Sequence, residues 1–338
     1  MKAMLLNKTA PIETAPLQYV DLPVPEPQKK ELQIKVHACG VCRTDLHVVE
    51  GDLKNINLPV IPGHQVVGKV TALGEGCTKF KIGDRVGIAW LRHTCGHCPF
   101  CTHGKENLCK QSLYTGYNNN GGYAEFATIS EDYAYAIPEN FTDEEATPLL
   151  CAGIVGYRAY KRSELPPGGR LGIYGFGSSA HIIMQIARYQ GCEVFVSTRD
   201  PRHQAFAKEM GATWVGAGNE VLPSLVDSII IFAPAGNLVP IALQSLNPSG
   251  TVALAGIHMS DIPSMPYEEC LFHEKNLRSV EANTRDDGHE FMELAEKIPI
   301  KPHITLYSLE QANEALLAVK KDSIKGTAVL TISIPHAV

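Results

Sequence analysis

From Lys2 to about Ile137 apolar and polar positions alternate in short runs broken by Gly and Pro, as in Leu32–Gly40 (LQIKVHACG), Val66–Gly74 (VVGKVTALG) and Asp84–Trp90 (DRVGIAW). A period of two with frequent turn residues predicts a mainly β region. Around Leu149–Tyr160 the pattern turns helical. After Pro166, Pro167, Gly168 and Gly169 it becomes a regular exchange of apolar runs and amphipathic stretches. The strand candidates are LGIYGF, CEVFVST, WVGA, DSIIIFA and GTVALAGI; Ser179–Gly191 and Pro201–Ala212 are helix candidates. Strands apolar on both faces and separated by helices predict a parallel sheet covered on both sides. Past about Arg285 the exchange ends. An amphipathic, helix-like segment, Tyr307–Asp322, precedes a final strand-like run, Lys325–Ile334, and this tail is expected to rejoin the first domain. The expected domains are residues 1–151, completed by 286–338, and residues 152–285.

Composition narrows the function classes. With 338 residues the chain is too long for one compact domain. Thirty Lys and Arg against 36 Asp and Glu give a net charge of −6, no basis for general nucleic-acid binding. The start, MKAMLLNKTAPIETA, lacks the apolar run of an export signal, and the uncharged stretch Ser228–Ile257 is cut by Pro234, Gly236, Pro240, Pro248 and Gly250. A cytoplasmic protein with neither membrane nor nucleic-acid partners is expected.

Four of the ten cysteines form Cys95-x2-Cys98-x2-Cys101-x7-Cys109. Thiolates at this spacing, with Gly96, Pro99 and Gly104 between them, suit a closed tetrahedral zinc site. A disulfide framework finds no support in an export signal. His93, His97 and His103 lie nearby and read as exposed loop residues. Gly175-Phe-Gly177-Ser-Ser-Ala180 follows a predicted strand and opens a predicted helix, the context in which a G-x-G-x-x-A turn lets the backbone approach a dinucleotide pyrophosphate. An acidic residue at the end of the next strand would read the ribose of NAD. Thr198 stands there, followed by Arg199 and, close behind, Arg202, which favours the 2′-phosphate of NADP. A shifted register would instead offer Asp200 to the ribose and imply NAD. Cys42 and His47 in GVCRTDLH, His64 in IPGHQ and Cys151 in PLLCAG are each weak ligand candidates alone.

Taken in order, GVCRTDLH, IPGH, the four-cysteine loop, PLLCAG and the G-x-G-x-x-A turn resemble the zinc-dependent alcohol dehydrogenases of the medium-chain dehydrogenase/reductase superfamily. The likeness runs from Lys2 to about Leu330 and is strongest to the bacterial and cinnamyl-alcohol-type branch. It implies an α/β fold, with a GroES-like mainly-β catalytic domain and a Rossmann cofactor domain. It further implies an enzyme that interconverts primary alcohols and aldehydes with NAD(P), two zinc ions per subunit, and a homodimer or homotetramer. By position, Cys42, His64 and Cys151 would hold the catalytic zinc. Thr44 would bond the substrate oxygen and pass its proton by way of the cofactor ribose to His47. Asp45 would orient His64, Arg43 would bind the pyrophosphate, and Trp90 would line the substrate pocket and disfavour crowded secondary alcohols.

Two departures stand out. Gln65 replaces a common Glu, which points to Cys151 as third ligand, away from polyol substrates, and to a more positive site. Thr327 stands where relatives often place an Arg, which leaves more of the phosphate binding to Arg43. Rival readings are a metal-independent quinone or enoyl reductase, which would lack Cys42, His64 and Cys151 as ligands, and an NADP-binding redox sensor without turnover.

Overall fold

The computed structural model describes Met1–Ile332. The chain divides into two units: Met1–Cys151 with Asn283–Lys297 and Pro302–Val338, and Ala152–Ala282 with Ile298–Lys301. Of the third segment of the first unit, residues 333–338 lie outside the described part, as does the end of the run Lys325–Ile334.

The first unit is built on the strand Glu31–Val41. Its alternation is physical: Leu32, Ile34, Val36 and Ala38 are buried while Gln33, Lys35 and His37 are half-exposed. From Ala38 onward every residue of the strand is buried. Gln65–Leu73 and Phe126–Ser130 pair antiparallel with it, and Arg85–Ile88 and Ala134–Ala136 extend the sheet. On the other side Thr327–Thr331 joins antiparallel, Leu330 opposite Cys39, and Ile304–Ser308 runs parallel to it. The tail therefore completes the first sheet.

The second unit is a six-stranded, wholly parallel sheet in the order Trp214–Gly216, Glu193–Ser197, Arg170–Tyr174, Val226–Ile231, Leu246–Leu254, Asn276–Ser279. In chain order this is 3-2-1-4-5-6, the doubly wound arrangement of dinucleotide-binding domains. Its central strands are buried except at Arg170 and Asp227, with Leu171, Ile173, Ile229 and Ile231 at 0% exposure.

Three details depart from the pattern-based expectation. Tyr307 and Ser308 end a strand, and the helix is confined to Ala312–Lys320. The helix Arg285–Lys297 continues beyond the point where the exchange was expected to end, and the chain returns to the first unit at Asn283 rather than at residue 286. Ile298–Lys301 sits with the second unit because Lys301 N–H donates to Gln185 Oε1 at 2.8 Å and Lys301 O accepts from Gln185 Nε2 at 3.2 Å.

Candidate active site

Cys42 is the N-cap of the helix Arg43–Glu50. Its Sγ accepts the Thr44 N–H at 3.2 Å, and its own N–H donates to Asp45 Oδ2 at 3.0 Å, a reciprocal capping box. Asp45 thereby has a fixed rotamer, and its Oδ1 meets His64 Nδ1 at 2.8 Å and the Gly63 N–H at 3.3 Å. His64 Nε2 is then aimed at Cys42 Sγ, 3.4 Å away. Gly63 is required here: at φ +96° a Cβ would come within 2.3 Å of the Tyr123 ring.

Cys151 ends the turn Thr147–Leu150 and brings a third candidate donor from a distant segment; Cys42, His64 and Cys151 present donor atoms all within 4.8 Å of one another. The Cys42 thiol is held well below its usual pKa, first by a hydrogen bond from Cys151 and then by His64 and Thr44, against the penalty of burial. Burial opposes charge on His64, yet Asp45 and Cys42 outweigh it and raise its pKa. Burial is also the chief reason the Asp45 pKa lies above the usual carboxylate value. A thiolate and an imidazole oriented by a buried carboxylate form a donor set that fits zinc. Gln65, fully buried beside His64, has neither amide atom hydrogen-bonded.

On the same helix Thr44 is buried, and His47 lies one turn on, its Nδ1 fixed by Asp52 Oδ2 at 2.7 Å and its side chain 21% exposed. Arg43 Nη2 pairs with Asp322 Oδ1 at 2.7 Å. That partner is 279 positions away and carries no motif by which spacing could reveal it. The Trp90 ring meets His64 edge-on at 5.0 Å. Tyr114 and Tyr117 join it, and neither was singled out from sequence. Thr327 is buried, its N–H donating to His303 O.

The second cluster is local. The sulfurs of Cys95, Cys98, Cys101 and Cys109 lie within 4.8 Å of one another, with Cys98–Cys101 at 3.5 Å and Cys95–Cys101 at 3.9 Å. A tetrahedron of zinc–sulfur bonds has sulfur–sulfur edges of about 3.8 Å, so the donor set fits the ion. Backbone N–H groups point at the sulfurs, and hydrogen bonds from His97, Cys98 and neighbours pull the Cys95 thiol down to about 6. His93, His97 and His103 are exposed. Glu106, inside this loop, accepts from Arg285 through both carboxylate oxygens, at 2.7 Å from Nη2 and 3.0 Å from Nε. The Arg285 guanidinium lies 4.7 Å over the Tyr133 ring, whose hydroxyl is 2.9 Å from Thr94 Oγ1. These contacts fasten the loop to the helix Arg285–Lys297.

In the second unit Gly175 takes φ +87°, with Ala233 too close for a Cβ. Gly177 is the N-cap of the helix Ser178–Tyr189, makes no side-chain cap, and faces open space where a Cβ would project. Ala180 is fully buried. Such a turn fits a pyrophosphate. Thr198 directly follows the strand Glu193–Ser197 and is buried, whereas Arg199 is exposed. Asp200 is otherwise engaged: it caps the helix Pro201–Glu209 through the Arg202 N–H at 2.8 Å and pairs with Arg202 Nη2 at 2.6 Å. Arg202, expected as a donor for the 2′-phosphate, is thus already paired, and hydrogen bonding to it depresses the Asp200 pKa.

Comparison with known proteins gives concordant matches. Residues 28–139 match the family model of the alcohol dehydrogenase GroES-like domain, and residues 180–297 that of the zinc-binding dehydrogenases. A probable alcohol dehydrogenase of Mycobacterium tuberculosis (strain CDC 1551 / Oshkosh) is 49% identical over 98% of this chain and 97% of its own length. An alcohol dehydrogenase of Geobacillus stearothermophilus is 34% identical over 94% and 96%. Among solved structures, a cinnamyl alcohol dehydrogenase of Sorghum bicolor superposes with a TM-score of 0.87 at 26% identity, covering 98% of this chain and 97% of that one.

Proposed function

The chain belongs to the zinc alcohol dehydrogenase family of the medium-chain dehydrogenase/reductase superfamily, and from that premise we propose that it is a zinc-dependent enzyme interconverting primary alcohols and aldehydes, with NADP preferred over NAD. The observation that carries this reading is the convergence of Cys42, His64 and Cys151 from three separate segments, with the buried Asp45 behind His64.

Cys42, His64 and Cys151 would hold one zinc, and Cys95, Cys98, Cys101 and Cys109 a second. When bound at an open site, zinc supplies a Lewis acid for an alcohol or carbonyl oxygen, and a nicotinamide cofactor supplies the hydride acceptor or donor. The protein's own residues do the rest. Asp45 fixes the tautomer and direction of His64 by accepting from its Nδ1. The Thr44 hydroxyl would hold the proton of the substrate oxygen, and His47, pinned by Asp52 and partly open to water, would hand it on to solvent. The Trp90 ring beside His64 crowds the site and supports unbranched carbinol carbons over secondary ones.

Gly175, Gly177 and Ala180 would cradle the cofactor pyrophosphate, and Arg43 would contact it once released from Asp322. NADP is supported by a neutral Thr198 followed by the exposed Arg199, with Asp200 committed to Arg202. All ten cysteines are free, in keeping with a reducing compartment such as the cytoplasm, and homodimeric or homotetrameric assembly follows the family resemblance. Among the described residues no helix is long and apolar enough to cross a membrane.

Elemental analysis tests the assignment. The chain should carry two zinc ions, and Cys151→Ser should retain the four-cysteine ion while losing the other together with aldehyde reduction. A Cys151→Ser protein that kept both ions and full activity would overturn it.

A further inference from the structure

Tyr123 buries a hydroxyl that has no partner. The residue is at 0% exposure, and its hydroxyl makes no hydrogen bond. Phe would place the same ring there without an unpaired polar atom. Orphans of this kind are rare in folded proteins, and each calls for a physical explanation.

The ring lies against the segment that delivers His64. The Tyr123 N–H donates to Pro62 O at 3.0 Å, and the Gly122 N–H to Gly63 O at 2.9 Å. A Cβ on Gly63 would come within 2.3 Å of the ring's Cδ1 and 2.7 Å of its Cε1, so the ring fills the space that the absent side chain leaves. The N–H of the same Gly63 donates to Asp45 Oδ1, which brings the ring beside that carboxylate. Burial first, and then the Asp45 charge, push the Tyr123 pKa well above the usual phenol value, so the hydroxyl keeps its proton and is available as a donor. The nearby Cys39 thiol does not compete for Asp45, since it donates to Gly40 O at 3.6 Å.

Asp45 has room for that donor. Its Oδ1 accepts from both His64 Nδ1 and the Gly63 N–H, whereas among the described residues Oδ2 accepts from the Cys42 N–H alone. A carboxylate can take about four such bonds, and this one is buried, with no water to supply the fourth. An ion on His64 Nε2 would leave Nδ1 as the donor to Asp45, and a second firm donor on Oδ2 would then hold the carboxylate in the plane the imidazole needs.

We propose that Tyr123 is a positioning residue for His64, its hydroxyl donating to Asp45 Oδ2 when the imidazole holds an ion. The proposal rests on the reading of Cys42, His64 and Cys151 as a zinc site, and its test separates the two.

Tyr123→Phe removes the hydroxyl and keeps the ring. In the zinc-loaded full chain, competition with a chromogenic chelator should show the ion that Cys151→Ser loses held about tenfold more weakly than in wild type, the lower end of the loss on removing an outer partner of a metal ligand. The four-cysteine ion is the internal reference and should be unaffected. In Asp45→Asn the accepting oxygen is gone, so adding Tyr123→Phe should change the affinity by less than about twofold. An affinity in Tyr123→Phe within about twofold of wild type would overturn the proposal. Equal weakening of both ions, the mark of a packing role, would overturn it too, as would a full tenfold loss that persists in the Asp45→Asn background. A wild type that holds only the four-cysteine ion overturns the zinc reading and this inference together. Two ions in wild type and an indifferent Tyr123→Phe overturn this inference alone.

Discussion

Replacing Asp45 by Asn keeps the side chain's size and removes its charge from behind His64. In the native arrangement one carboxylate oxygen takes the His64 and Gly63 N–H groups and the other takes the Cys42 N–H. Asn can keep the first pair, but its NH2 then faces the Cys42 N–H, two donors with no acceptor between them. One buried hydrogen bond is lost, at about 1–3 kcal/mol, and the imidazole loses its charged acceptor. Loss of such a partner lowers metal affinity by roughly 10–100-fold, equivalent to about 1.4–2.7 kcal/mol. The two estimates agree. Competition with a chromogenic chelator should therefore show one zinc released about 10–100-fold more readily in Asp45→Asn, while the four-cysteine ion is unaffected. Asp45→Asn with affinities at both sites within about twofold of wild type would refute the reasoning.

Arg285→Met removes the guanidinium from the Glu106 carboxylate, whose side chain is 10% exposed, and leaves it the residue-285 N–H; this should cost about 1–3 kcal/mol in denaturant unfolding, Glu106→Gln/Arg285→Met should recover most of it, and equal stabilities of single and double variants would count against the pairing. Asp143 is held down to about 2 by hydrogen bonds from His37 and Arg85. A depressed carboxylate contributes stability above its unfolded value, lost as pH falls. The advantage of wild type over Asp143→Asn should thus be about 2 kcal/mol near pH 5 and vanish between about pH 4 and pH 2 in parallel unfolding curves. A constant gap across that range would contradict it. Arg199→Ala should raise the KM for NADPH roughly tenfold with little change for NADH, as expected for one charge-assisted contact to a phosphate; parallel changes for both would return the ribose contact to Asp200.

Legibility followed sequence distance. The four-cysteine loop spans Cys95–Cys109 and the phosphate turn Gly175–Ala180, so spacing alone describes their chemistry. Parallel strands such as Val226–Ile231, buried on both faces, announce themselves as apolar runs. Asn276–Ser279 does not: four residues, NLRS, are too short and polar to be told from a loop, yet they form the sheet's sixth strand. The trio of Cys42, His64 and Cys151 spans more than a hundred positions and was visible only in combination with the surrounding motifs. Pairings such as Arg43 with Asp322 and Glu106 with Arg285 depend on where the tail returns, which no local period encodes. Tyr114 and Tyr117 read as ordinary loop aromatics until the turn folds them onto Trp90.

The most direct test of the central claim is a side-by-side measurement of initial rates of NADPH and NADH oxidation by the zinc-loaded chain against a panel of aliphatic and aromatic aldehydes. The account predicts aldehyde-dependent oxidation that favours NADPH. No oxidation with either cofactor, in protein shown to carry zinc, would contradict it.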